Sequence, residues 1–116
     1  MRVALVLCLI VLAGCRQDPL SREAARGLEL VGQHGCGSCH VIPGITGADG
    51  LAGPPLTAMA RQAYVAGVAP NTREALAAFI ANPQAVDPRS AMPNLGLSSE
   101  EAQYIAAYLY EAGASE

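Results

Sequence analysis

Apolar residues recur every three or four positions in three stretches of this chain, which is the spacing of an amphipathic α-helix. The stripe is clearest in the first and third stretches, where it consists of Ala24, Gly27, Leu28 and Val31, and of Ala102, Ile105, Ala106 and Leu109. The pattern predicts helices over about residues 21–33, 73–81 and 98–112. No stretch shows the alternation of a half-buried strand, so the predicted fold class is all-α.

Residues that typically begin or end helices flank the same three stretches. The predicted boundaries are Ser21 and Gly35 for the first helix, Asn71 or Thr72 and Pro83 for the second, and a capping box of Ser98 and Glu101 followed by Gly113 for the third. Residues 41–55 are rich in glycine and proline and are predicted to be loop. A short helix is predicted over 56–65, and prolines predict irregular chain over 82–97.

The first fifteen residues have the pattern of an export segment. Arg2 precedes a short apolar run over residues 3–12, and small residues lead into Cys15. The run is shorter than the ~20 residues of a membrane-spanning helix, so a signal peptide fits better. Its end resembles a bacterial lipoprotein signal, which predicts a signal peptide over 1–14, a lipid-anchored spacer over 15–20 with lipidation at Cys15, and a folded domain over 21–116. The alternatives are an ordinary signal with an incidental Cys15 and an uncleaved anchor.

The size and charge of the chain limit its functions. At 116 residues, it holds one domain at most. The net charge is -3, and the seven basic residues are all arginine and form no cluster, so the sequence predicts no nucleic-acid partner. Aromatic residues make up only 4% of the chain. A covalently bound apolar cofactor would enlarge the small core that such a chain builds by itself.

The strongest functional signal is Cys36-Gly37-Ser38-Cys39-His40. Two thiols three positions apart, followed at once by a histidine, are typical of c-type haem attachment. Each thiol binds one vinyl group of the haem, and the histidine binds the iron. The motif therefore predicts one haem c, attached covalently through Cys36 and Cys39, with His40 as a ligand of the iron.

Two other kinds of site use a pair of cysteines with this spacing. A closed zinc site needs two further ligands, and outside the motif the chain offers only His34, Cys8 and Cys15. A redox-active dithiol is expected beside a βαβ unit. Since the pattern predicts no strands, haem attachment is the favoured interpretation.

Beyond the motif, the chain resembles class I (monohaem) cytochrome c along nearly the whole predicted mature protein. The attachment motif comes early, and Ser90-Ala91-Met92-Pro93-Asn94 puts a methionine in a proline-bearing loop before the last helix. The resemblance implies Met92 as the second ligand of the iron, which gives a His/Met-ligated haem. It also implies a small fold of three main helices wrapped around the covalently attached haem.

Two further parts of the resemblance concern the surroundings of the haem. Gly53-Pro54-Pro55-Leu56 resembles a turn in which the proline carbonyl accepts the ring N–H of the iron-binding histidine, so Pro54 is implied as that partner. In this fold a small residue of the first helix permits close contact with the last helix, and Gly27 is the candidate.

A narrower resemblance is to the cytochrome c domain of subunit II of bacterial haem–copper oxidases. It is carried by the segments 70–72, 82–86 and 91–93. Arg61 and Tyr64 are candidates for contacts with the haem propionates, because a guanidinium pairs well with a carboxylate. Phe79 stands where many relatives have a tyrosine whose hydroxyl lies near the methionine ligand. The lost hydroxyl removes one expected hydrogen bond to the sulfur.

These observations predict a single-electron carrier of a bacterial respiratory chain, and not an enzyme. The expected partners are respiratory donor and acceptor proteins, with a terminal oxidase as the acceptor. The expected location is the periplasmic side of a bacterial membrane, with the protein attached through a lipid on Cys15. The alternative function is a haem-based sensor or gas-binding protein whose sixth iron ligand is easily displaced.

Overall fold

The computed structural model describes residues 18–114 of the chain. The predicted signal peptide, Cys15 and the first part of the predicted spacer lie outside these residues, and so do residues 115–116. Within the described range, no helix is both long enough and apolar enough to cross a membrane.

Residues 18–114 form a helical fold, and the predicted all-α class is confirmed. The three predicted helices are present, and a fourth, very short helix lies between the second and the third. They are α1 (Arg22–Gln33), α2 (Arg73–Ala81), α3 (Pro83–Val86) and α4 (Ser99–Ala114). Two 3₁₀ turns, Cys36–Ser38 and Met59–Arg61, and two antiparallel strands, β1 (Tyr64–Val65) and β2 (Ala69–Pro70), complete the fold.

The helices begin where side chains can bond free backbone N–H groups. The hydroxyl of Ser21 accepts the amide three residues further on at 3.1 Å, and Thr72 rather than Asn71 does the same for α2 at 3.0 Å. At α4 the predicted capping box is present, with the Glu101 amide 3.1 Å from the Ser98 hydroxyl and the Ser98 amide 2.9 Å from the Glu101 carboxylate.

Helices α1 and α4 pack backbone against backbone at Gly27. A Cβ at this position would lie 1.9 Å from the carbonyl oxygen of Tyr104, so only glycine permits the contact. The start of α1 is also tied to the end of α4, because the Ser21 hydroxyl and amide donate to the two carboxylate oxygens of Glu111 at 2.6 and 3.0 Å. The pair of helices forms the frame of the core. The most buried side chains of these two helices are Ala24, Leu30, Val31, Ala102, Ile105, Ala106, Ala107 and Leu109.

The predicted helix over 56–65 is wrong. Only the turn Met59–Arg61 is helical, and the chain then enters β1. Ala66 and Gly67 follow with φ angles of 51° and 72°. These left-handed residues reverse the chain into β2, which a continuing helix would not allow.

Two other boundaries differ from the predictions. The region 82–97 contains α3, which begins at Pro83, where a proline costs nothing because the first N–H of a helix has no partner within it. Helix α4 does not end at Gly113 but continues to Ala114. Gly113 instead allows close packing, because a Cβ there would lie 3.0 Å from the Cα of Ala58.

Candidate haem site

A cavity of about 710 Å³ opens between the helices and the loops that follow α1 and α3. Its volume lies within the ~300–1,000 Å³ that is usual for cofactor and ligand sites. The helices contribute only apolar side chains to its lining: Val31, Leu76, Phe79, Ile80, Ile105 and Leu109. Three further segments supply the remaining walls, residues 36–56, 59–67 and 87–97. We call residues 36–56 the attachment segment and residues 87–97 the methionine loop.

The attachment segment begins directly after α1 with a left-handed turn. Gly35 has a φ of 66°, and the amides of Cys39 and His40 then donate to the carbonyl of Cys36 at 3.2 and 3.1 Å. This closed turn directs both thiols and the imidazole to the same cavity, which Cys36, Cys39 and His40 all line. The spacing of the motif thus brings three reactive groups together over five residues.

The ring of His40 is oriented by Pro54. Its Nδ1 atom lies 2.7 Å from the Pro54 carbonyl oxygen. A carbonyl only accepts hydrogen bonds, so Nδ1 is the donor, and the neutral tautomer that this contact selects has its free lone pair on Nε2. A neutral imidazole with a free Nε2 is the form that binds a metal ion.

Glycines allow the rest of the attachment segment to lie against the motif. The amide of Gly53 donates to the Cys39 carbonyl at 2.7 Å, and that of Gly50 donates to the Gly37 carbonyl at 3.1 Å. A Cβ at Gly53 would lie only 2.3 Å from Cε1 of His40. The sequence analysis interpreted these glycines as loop residues. Their repeated occurrence just after the motif was the signal of close packing.

Met92 reaches the cavity from the methionine loop and is half-buried. Its amide donates to the Ser90 hydroxyl at 3.3 Å. The side-chain amide of Gln84, on α3, donates to the carbonyls of Met92 and Ser90 at 2.6 and 3.2 Å. The sequence analysis missed Gln84, since an exposed glutamine has no distinguishing local signal.

Of the two predicted caps of α2, Thr72 is the one that caps it, and Asn71 supports the cavity wall instead. Its amide nitrogen donates to the carbonyls of Met59 and Gln62 at 2.7 and 2.8 Å. Its oxygen accepts the hydroxyl of Tyr110 at 2.6 Å. Because Met59 and Gln62 line the cavity, Asn71 fixes this part of the wall to α4.

Of the three remaining candidates for contact with the haem, two line the cavity and one does not. Phe79 is half-buried and Tyr64 is 61% exposed, and both line the cavity. Arg61 is not among the lining residues, whereas its neighbour Gln62 is. The structure therefore brings two of these three side chains to the site.

The two thiols differ in their environments. Cys36 is half-buried, and burial raises the pKa of its thiol before haem is attached. Cys39 is exposed.

Among residues 18–114, no group of three or more His, Cys, Asp or Glu side chains is arranged to hold a metal ion.

Comparisons with known proteins identify the family. The Cytochrome c family matches residues 24–112, and the chain belongs to this family. The chain is 31% identical over 94 residues to a protein named cytochrome c oxidase subunit 2 from Alkalihalophilus pseudofirmus. This match covers 80% of the chain but 27% of the relative, so the chain spans about a quarter of that protein's length. No solved structure matches the chain significantly.

The chain therefore carries an iron-containing haem c, attached covalently through Cys36 and Cys39. The cavity fits such a group, since it combines an apolar floor with two thiols and an oriented imidazole at its edge. Cytochrome c domains are typically electron carriers rather than enzymes.

Proposed function

We propose that this protein is a single-electron carrier of a bacterial respiratory chain, with His40 and Met92 as the ligands of its iron. The observation that carries the proposal is the common cavity, which is lined by Cys36, Cys39, His40 and Met92. The imidazole that Pro54 orients would supply a nitrogen ligand. The thioether supplies a soft second ligand of the kind that raises the reduction potential of a haem.

The protein side of this function is to keep the site rigid. When bound, the haem would provide a one-electron redox couple, with its iron reduced by the donor protein and reoxidised by the acceptor protein. The hydrogen bond from His40 to Pro54 holds the imidazole in one orientation. The apolar helix side chains exclude water from the cavity floor, and the prolines on both sides of Met92 limit the motion of the methionine loop.

The proposed acceptor is a terminal oxidase. The relative from Alkalihalophilus pseudofirmus is named as an oxidase subunit, and the chain aligns with about a quarter of it. The present chain would pass electrons to such an oxidase, and another respiratory protein would supply them. A protein with a net charge of -3 and no lysine is not suited to nucleic acid.

The proposed location is the periplasmic side of a bacterial membrane, with a lipid anchor at Cys15. The support is the apolar run and the small residues before Cys15. Replacing Cys15 by serine is expected to move the haem protein from the membrane fraction to the soluble fraction. Unchanged attachment of Cys15→Ser would exclude an acyl anchor.

The optical spectrum of the purified ferric protein tests the ligand assignment. A sulfur ligand gives ferric haem a weak band at the red edge of the spectrum, and we expect this band in the wild type and its loss in Met92→Ala. A high-spin ferric spectrum in the wild type would favour the alternative, a sensor or gas-binding protein with an easily displaced sixth ligand. Pigment that is extracted by acid acetone would contradict covalent attachment.

A further inference from the structure

Gln84 holds the methionine loop at two points. Its side-chain nitrogen lies 2.6 Å from the Met92 carbonyl oxygen and 3.2 Å from the Ser90 carbonyl oxygen. Both partners only accept hydrogen bonds, so the nitrogen of the amide, and not its oxygen, has to face them. The two hydrogens of the amide group match the two carbonyls.

The backbone that carries Gln84 is itself well anchored. Gln84 is the second residue of α3, and Pro83 before it is among the most completely buried side chains of the described residues. The Asp87 amide closes α3 onto the Pro83 carbonyl at 2.9 Å, and the Ala85 amide donates to Asn82 at 3.2 Å. Since α3 follows α2 almost without a break, the backbone of Gln84 is held close to the core, and its exposed side chain reaches the methionine loop.

We infer that Gln84 is a positioning residue for the thioether of Met92, an inference that rests on the proposed ligation of the iron by Met92. Fixing the carbonyl of a residue restricts the direction of its Cα–Cβ bond and hence the position of its sulfur. A weak ligand depends strongly on such preorganisation, because the entropy of ordering the loop opposes each closure of the bond. Phe79 has no hydroxyl with which to hold the sulfur directly, so positioning through the backbone carries more weight.

A role in loop stability alone would have a different signature from a positioning role. Imidazole added to the solution competes with Met92 for the iron, so its apparent affinity measures how firmly the sulfur is held. A residue that only stabilises the fold changes the denaturant midpoint of unfolding but leaves this competition unchanged.

The experiment titrates ferric holoprotein with imidazole and follows the loss of the red-edge band. In Gln84→Ala the apparent affinity for imidazole is expected to rise roughly three- to tenfold, the effect of losing one or two ordinary hydrogen bonds. Gln84→Glu is isosteric but opposes two carbonyl oxygens with a carboxylate, so a larger increase is expected at neutral pH. Gln103→Ala removes an exposed glutamine of α4 and should behave like the wild type.

Two negative outcomes are distinguishable. If the wild type shows no red-edge band, Met92 is not the ligand, and the proposed function fails together with this inference. If the band is present and is lost in Met92→Ala, but both Gln84 variants bind imidazole like Gln103→Ala, the positioning role alone is overturned. A rise in the apparent affinity for imidazole that is confined to the two Gln84 variants supports the positioning role.

Discussion

The attachment segment is held mainly by backbone contacts, whereas the methionine loop depends on side chains. On the first side, Gly50 and Gly53 bond directly to the motif, and a Cβ at Gly53 would collide with the ring of His40. On the second side, the loop is bonded through Gln84 and Ser90, and Met92 itself is only half-buried.

This difference between the attachment segment and the methionine loop matches their different roles at the haem. Thioether bonds to haem are permanent, and the imidazole must keep one orientation, so close packing without spare volume suits the attachment segment. The proposed bond between Met92 and the iron would be weaker and reversible, and it would depend on a loop that a few exposed hydrogen bonds keep ordered. Damage to the frame should therefore act on the whole fold, and damage to the loop should act first on ligation.

The largest expected effect comes from the frame behind the attachment segment. In Gly27→Ala the new Cβ would lie 1.9 Å from the Tyr104 carbonyl oxygen, so α1 and α4 have to separate. We expect a loss of about 3 kcal/mol in the free energy of unfolding, at the upper end for an overpacked core. Denaturant unfolding of the holoprotein measures it.

Gly32→Ala is the matched control for this prediction. Gly32 lies in the same helix, and a Cβ there would meet nothing within 4 Å. An alanine in a helix interior is expected to stabilise by about 0.5–1 kcal/mol. Equal destabilisation of the two variants would contradict the role of Gly27 as a contact point.

The two methionines of the cavity separate core packing from ligation. Met59 is buried, and Met59→Ala is expected to cost about 2–3 kcal/mol of unfolding free energy, in the lower part of the range for such truncations. The red-edge band should persist in this variant and disappear only in Met92→Ala. Loss of the band in Met59→Ala, with retention in Met92→Ala, would reverse the assignment of the ligand.

A smaller effect is expected from the link between α4 and the attachment segment. The Tyr108 hydroxyl donates to the Pro43 carbonyl, and Tyr108→Phe leaves that carbonyl without this partner. We expect the free energy of unfolding to fall by about 1 kcal/mol, which is the usual contribution of one hydrogen bond. Denaturant unfolding of the holoprotein measures this effect, and an unchanged midpoint in Tyr108→Phe would contradict the link.

The smallest effect concerns the capping box that follows the methionine loop. Bonding to the Ser98 amide lowers the pKa of the exposed Glu101 carboxyl in the folded protein. The carboxylate therefore stabilises the fold above its ordinary pKa, and this contribution is lost as the pH falls through the lowered folded value. Ser98→Ala removes the hydroxyl cap and should lower the free energy of unfolding at neutral pH by about 1 kcal/mol or less. It keeps the backbone amide that bonds the carboxylate, so the acid dependence should be flattened by Glu101→Gln instead. The control Ser99→Ala should change neither the stability at neutral pH nor its dependence on acid.

The local part of this structure followed from the sequence. The haem motif could be identified because its chemistry lies within five consecutive residues, and α1, α2 and α4 could be located because helical periodicity and capping are short-range. The short helix predicted over 56–65 failed for the converse reason, since its end is decided by the pairing of Tyr64 with Pro70.

Only the tertiary structure decided which distant residues support the site. Asn71 joins the cavity wall to Tyr110, Gln84 reaches Met92, and the cavity is lined by Gln62 rather than Arg61. Each of these contacts is made by an ordinary polar side chain whose partner is set by how loops pack on helices. Spacing along the chain encodes bonds within a turn, whereas hydrogen bonds between segments exist only after the core has brought those segments together.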